Sequence, residues 1–283
     1  MKKYLVTFLT LVLAVVLAAC SGNDEDTKTS SKDNGATEQN KEIKLGATAG
    51  PYSDMLTKAI IPQLEEKGYK VELVEFSDYV QPNNALDNGD IDANLFQHTI
   101  YLETFEKQNN MDLEALITVP TAPMGFFSEK FKSVDEISEG ATVAIANDPA
   151  NAARTLLTLQ GQDLIEIDSA AEELTASEKD IVKNNKNLVF QPVEAGSLPR
   201  QIENADIAAV PGNFALAAGL KLTDALFLED MNENYRNVVA VKAENKDSQL
   251  AKDLIEIVES AEYEETINSE FQGFSKPEWM VNR

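Results

Sequence analysis

EIKLGATAGPYSDMLTKAIIPQLEEKGYKVELVEFSDYVQPNNALDNGDIDANLF, residues 42–96, switches repeatedly between two periodicities. EIKLGATA alternates and then breaks at Gly50-Pro51. From Tyr52 to Lys67 the apolar residues Met55, Ala59, Ile60 and Leu64 fall at helical spacing, and Gly68 stops the run. KVELVEF, from Lys70 to Phe76, alternates cleanly; Gln81 to Asp87 suits a short helix, and Ile91 to Phe96 returns to an extended pattern. Strand, helix, strand, helix, strand is the grammar of a mostly parallel sheet.

Working toward the C-terminus, a helix is expected from His98 to Gln108 and a strand at Leu116–Val119, after which Pro120 and Pro123 interrupt both periods. A crossing to a second lobe is placed there. The grammar then repeats: a strand at Thr142–Ala146, a helix opened by Asp148 as N-cap with Pro149 in its first turn, a further helix near Ser177–Lys183, and strands at Leu188–Val193 and Ile207–Val210. Asn237–Lys242 reads as another strand. An amphipathic helix follows from Asp247 to Ser260, with Leu250, Leu254, Ile257 and Val258 on one side, and carries the chain back to the first lobe. The expected fold class is α/β, with residues 43–121 and 236–283 in lobe 1 and 122–235 in lobe 2. Two such lobes leave a cleft between them, the usual place for a small ligand.

Toward the N-terminus, MKKYLVTFLTLVLAVVLAAC sets Lys2 and Lys3 before an apolar run from Tyr4 to Ala19. Those 16 residues fall short of the roughly 20 that cross a bilayer, so residues 1–19 are expected to be an export signal. Leu17-Ala18-Ala19-Cys20 has the form of a lipoprotein cleavage box, which makes Cys20 the expected lipidation site and places the protein on the extracytoplasmic face of a cell membrane. Residues 20–42 hold no aromatic side chain and are expected to be a flexible tether. Cys20 is the only cysteine in 283 residues, which excludes a disulfide framework and a cysteine-based zinc or redox site. Without Lys2 and Lys3 the chain has 22 basic against 48 acidic residues, a net charge of −26 that makes nucleic acid and anionic surfaces poor partners.

The sequence contains no G-x-S-x-G, H-E-x-x-H, phosphate-loop or dinucleotide-binding fingerprint. With the single histidine His98 and no cysteine beyond Cys20, no catalytic constellation, metal site or cofactor is expected. The densest run of unusual residues, 76–105, brings Tyr79, Phe96, His98 and Tyr101 to strand and helix ends, where they can line a pocket. Spacing alone favours core packing for Phe96 and Tyr101 and a satisfied surface position for His98. Asn151 and Arg154, three apart near the start of a helix, suit a carboxylate: an amide, a guanidinium and free helical N–H groups converge there.

DYVQPN (78–83), DANLFQH (92–98), APMGFFS (122–128), VAIANDPANAAR (143–154) and ENYRNVVAVK (233–242) together resemble the NlpA/MetQ family of methionine-binding lipoproteins, from about Ile43 to Trp279. The resemblance implies a two-lobe fold like that of periplasmic binding proteins, closing on a free amino acid that an ABC permease and its ATPase then import. Its ligand is methionine, with D-methionine or a methionine dipeptide as further candidates. In the same terms Arg154 grips the ligand carboxylate with Asn151 beside it, Tyr79, Phe96, His98 and Tyr101 line the side-chain pocket, and Asn237 lies near the ligand's polar end. Where many relatives read V-N-G-N-[YF]-A, this chain reads Val210-Pro211-Gly212-Asn213-Phe214-Ala215. Pro211 offers neither an amide nor an N–H, so either Asn213 or water takes over that contact, or the pocket admits a different amino acid. The expectation is thus a monomeric, lipid-anchored binding protein rather than an enzyme; an adhesin or signalling lipoprotein would use the same tether and fold.

Overall fold

The structure is a computed structural model and describes residues 41–283; the expected signal, Cys20 and most of the tether lie outside the described residues. The first strand, β1 (Lys41–Thr48), leads through Gly50 into α1 (Pro51–Met55), a π-helical turn (Leu56–Ile60) and α2 (Ile61–Glu66). One uninterrupted helix was expected over this stretch. Pro62 explains the difference, since it has no N–H and its ring would press on the carbonyl four residues back. The wider turn relieves that demand, with the Ile61 N–H reaching Leu56 O instead.

Next come β2 (Tyr69–Phe76), α3 (Gln81–Asn88), β3 (Ala93–His98), α4 (Thr99–Asn109) and β4 (Leu113–Val119). Gly89 ends α3 in the left-handed conformation, with φ 78°. The chain then passes through 120–124 to β5 (Gly125–Phe127), β6 (Thr142–Ala146), α5 (Pro149–Gly161), β7 (Ile165–Ile167), β8 (Ile181–Asn184) and β9 (Val189–Val193). It continues with α6 (Leu198–Gln201), β10 (Ile207–Val210), α7 (Gly212–Ala217) and β11 (Phe227–Leu228). After 229–236 it returns as β12 (Asn237–Lys242), followed by α8 (Gln249–Val258), α9 (Ala261–Glu270) and α10 (Glu278–Val281).

Two five-stranded sheets result, in the orders β2-β1-β3-β12-β4 and β11-β5-β10-β6-β9, which gives a two-lobe α/β fold. In each sheet four strands run one way, as the mostly parallel grammar predicts, and a single strand runs against them. β1 runs parallel to β2 and β3, but β12 inserts antiparallel between β3 and β4 because it enters from the other lobe. In the second sheet β6, β9, β10 and β11 run one way, and β5 pairs antiparallel with both β10 and β11.

The helix expected near Ser177–Lys183 is a single 3₁₀ turn, Glu178–Asp180, that runs into β8. Ser177 and Asp180 cap that turn as they would a helix, but the β-branched Ile181-Val182 pair then joins β7 in an antiparallel ladder.

One core packs Leu45, Leu95 and Val239 of the first sheet under Met55, Ile60, Leu254 and Tyr263; a second, on the opposite face, joins Leu86, Leu102 and Val238. The far side of the second sheet buries Phe126, Ile145, Leu156 and Ile207. The remaining cluster spans the lobes, from Tyr79, Phe96 and Tyr101 to Val210, Phe214 and Ala215.

The crossover at 120–124 is fixed on two sides. Thr121 exchanges backbone hydrogen bonds with Ser275 (3.0 and 2.9 Å), and Gly212 lies so close that an added Cβ would meet Pro123 O at 2.5 Å and Ala122 O at 2.6 Å. Gly212→Ala is therefore expected to cost about 1–3 kcal/mol, roughly 2–4 °C of thermal midpoint per kcal/mol. Gly161→Ala, with open space at its Cβ, should melt like the parent; equal melts for all three would mean that the crossover yields freely.

Candidate functional site

Asp148 accepts from the Asn151 N–H (2.8 Å) and so caps α5, with Pro149 set in the first turn. The cap places Asn151 and Arg154 side by side one turn in, both buried. Asn151 Nδ2 lies 3.2 Å from each Asp148 oxygen, which turns Oδ1 toward the other lobe, 3.2 Å from His98 Nε2.

His98 closes β3 and caps α4: its Nδ1 accepts from the Tyr101 N–H (3.1 Å). With Nδ1 an acceptor, Nε2 carries the proton and donates to Asn151. His98 is buried, not on the surface as spacing alone suggested. Burial, with the Arg154 charge nearby, lowers its pKa from 6.5 to about 3, so the ring is neutral.

Around this amide–imidazole contact stands an aromatic wall. Tyr79 lies 5.8 Å from Phe96, 5.6 Å from Tyr101 and 4.7 Å from Phe214, ring centre to ring centre. The Tyr101 hydroxyl donates to Tyr79 O (3.0 Å), and that of Tyr79 to Asn213 Oδ1 (2.6 Å). Asn213 Nδ2 in turn donates to Thr48 Oγ1 (3.3 Å), so one amide on α7 ties the second lobe to β1 of the first. Asn237 begins β12 opposite His98; its N–H donates to Thr121 Oγ1 (2.8 Å) and its Nδ2 to Phe96 O (2.9 Å).

Arg154 is 4% exposed, and its guanidinium is held by Glu229: Nε donates to Oε2 at 2.7 Å, and Nη2 bonds Oε1. Burial acts to lower the arginine pKa, and the Glu229 charge and hydrogen bonds outweigh it, leaving the pKa raised. The Tyr235 ring covers the guanidinium at 5.3 Å and meets His98 edge-on at 5.1 Å.

Tyr79, Phe96, His98, Tyr101, Asn151, Arg154, Asn213 and Asn237 all line one tightly walled cavity, whose free volume of about 10 Å³ is no more than one water needs. Reading the sequence missed Tyr52, Gln97, Thr121, Ala122 and Gly212, which complete its wall. Tyr52 had a signal in retrospect: Gly50, at φ 107°, and Pro51 turn the chain so that the first helical turn faces the cleft. Thr121 and Ala122 sit in the crossover and follow no period. A roomier cavity of about 360 Å³ lies beyond Arg154, walled by Thr158, Glu173, Glu229 and Asp230. It is rich in acceptors and has no aromatic wall to match the inner cavity, so we take the smaller one as the site. Among the described residues no cluster suited to a metal ion occurs, and no helix is long and apolar enough to cross a membrane.

Residues 43–279 match the protein family described as NlpA lipoprotein. The chain is 36% identical over 282 residues to the methionine-binding lipoprotein MetQ of Bacillus subtilis (strain 168), covering 98% of this chain and 99% of the relative. It is 37% identical over 240 residues to the D-methionine-binding lipoprotein MetQ of Escherichia coli (strain K12), covering 84% and 88%. Its fold matches a nutrient binding protein from Burkholderia cenocepacia bound to methionine, with a TM-score of 0.77 and 39% identity over 82% of this chain and 97% of the other.

The depressed His98 pKa makes stability pH-dependent. Between pH 6.5 and about 3 the unfolded chain takes up a proton that the folded chain refuses, so stability falls as pH drops through that window. In urea unfolding at pH 7 and pH 5, the parent should lose about 2 kcal/mol more than His98→Gln, whose side chain cannot charge. Equal losses would mean that the buried ring protonates as freely as in the unfolded chain.

Proposed function

Because the chain belongs to the NlpA lipoprotein family, we propose that it is the substrate-binding protein of an ABC importer and holds one methionine in the cavity between its lobes. The observation that carries this reading is a guanidinium and an amide, Arg154 and Asn151, side by side at the buried start of α5 and facing an aromatic wall. Arg154 binds the α-carboxylate, with Asn151 beside it, and Asn237 serves the polar end. Tyr79, Phe96 and Tyr101 hold the side chain, because an unbranched thioether lies well against ring faces at ~0.3–1.5 kcal/mol per contact. His98 stays neutral and orients Asn151. Relatives of both descriptions, methionine-binding and D-methionine-binding, support either enantiomer as ligand. In this reading the chain binds its ligand and does no chemistry on it, a role supported by its family and by relatives described as methionine-binding.

In the same reading, residues 43–121 with 236–283 and residues 122–235 are the two lobes, which part to admit the amino acid and close on it. Cys20 carries the lipid that keeps the monomer at the extracytoplasmic face of the membrane, within reach of the permease and ATPase that take the ligand onward. Pro211 favours one variation, a different amino acid as ligand. It begins α7 without a donor of its own, and the Asn213 amide that could replace one already bridges Tyr79 and Thr48.

Isothermal titration of the chain from Gln39 onward, unfolded and refolded to strip ligand, tests the reading. One methionine per chain with sub-micromolar affinity, stronger than ~8.2 kcal/mol, is expected. Arg154→Ala should abolish binding of any amino acid, and Phe96→Ala should weaken methionine far more than alanine. Heat with another amino acid only would move the specificity and keep the import role; silence with every amino acid would overturn the reading.

A further inference from the structure

Glu229 lies 75 residues from Arg154 in sequence, immediately after β11, and its carboxylate is buried with the guanidinium. Its position has a second anchor besides the arginine. The Glu229 N–H donates to Met124 O (3.0 Å), and the Met124 N–H donates to Glu229 Oε1 (2.5 Å), so backbone and side chain both dock on the crossover strand. Arg154 then docks on Glu229 through the Nε and Nη2 edge, and among the described residues no hydrogen bond uses Nη1. Arg154 lines both cavities, whereas Glu229 lines only the outer one. Nη1 is thus the nitrogen that Glu229 leaves unoccupied on a side chain that also lines the inner cavity.

We infer that Glu229 is a positioning residue for ligand binding: it occupies one edge of the Arg154 guanidinium, keeps it occupied when ligand is bound, and thereby presents Nη1 to the ligand carboxylate in a fixed direction. This rests on the reading of Arg154 as the carboxylate group's partner. A guanidinium fork is rigid and planar, so fixing one edge fixes the other. Donors already in place lose little freedom on binding, and affinity gains accordingly. Gln at 229 would keep the shape but set an NH₂ against a guanidinium N–H, breaking the two-point clamp.

The test is a titration cycle with L-methionine on the parent, Glu229→Gln, Arg154→Lys and the double variant, each verified as folded by its thermal melt. Glu229→Gln and Arg154→Lys should each weaken binding about tenfold or more, and the double variant should bind no more weakly than the worse single. A role in stability alone would lower the melt and leave the affinity of the folded protein unchanged; that result, or additive losses, would overturn the proposal. Arg154→Lys with full affinity would instead sink the assignment of the carboxylate site, whatever Glu229 does. Should Glu229→Gln fail to fold, nitrogen-15 NMR of the parent's arginine side chains decides. The Arg154 Nε–H signal should be protected from exchange and stay in place when methionine is added. A shift with loss of protection would mean that the ligand displaces Glu229, and the proposal would fall.

Discussion

A guanidinium that water barely reaches cannot stand alone. Removing one partner of a buried ion pair costs about 3–5 kcal/mol, because the other charge is left uncompensated. Arg154 sits under that constraint in the space between the lobes, and much of the surrounding structure follows from it. Glu229 has to be buried beside it, which requires the chain after β11 to turn inward instead of out to solvent. Met124 has to offer its backbone N–H to the same carboxylate, which fixes the crossover strand. His98, buried within reach of that charge, has to stay neutral, and its contacts allow that: one ring nitrogen accepts a helical N–H and the other donates to Asn151.

The same constraint links the site to the two chain crossings between the lobes. Both crossings between the lobes, at 120–124 and 229–236, touch the arginine's environment, one through Met124 and the other through Glu229 and Tyr235. On the opposite side of the cavity Asn213 bridges Tyr79 and Thr48, and Gly212 lies against the crossover carbonyls. A ligand that adds a carboxylate at Arg154 and a side chain against Tyr79 would thus touch groups belonging to both lobes. If the lobes part as proposed, the ligand can favour closure by the free energy of those contacts and by nothing else.

The parts of this arrangement legible in the sequence were those with a local cause. Asp148-Pro149 announces a helix start, and from it Asn151 and Arg154 follow by counting. The alternation at 70–76 and the extended run from Ile91 to Phe96 placed strands β2 and β3 to within about two residues of their ends. Resemblance then supplied what spacing left open, the aromatic wall and the two amides at 213 and 237. What escaped depended on distant partners. Glu229 is one of 48 acidic residues, and nothing near it in the chain marks it as buried. The antiparallel insertion of β12 is settled by the return path from the second lobe, and β8 by the strand it pairs with. Ser177 and Asp180 gave a sound helix-start signal, overridden one turn later by that pairing.

The most direct measurement is a crystal structure of the stripped protein grown with L-methionine. A ligand carboxylate within hydrogen-bonding distance of Arg154 Nη1, beside Asn151, with the thioether among Tyr79, Phe96 and Tyr101 and Glu229 still on Nε and Nη2, is the result this account predicts. Methionine bound elsewhere, or bound in this cavity with its carboxylate turned away from Arg154, would contradict it.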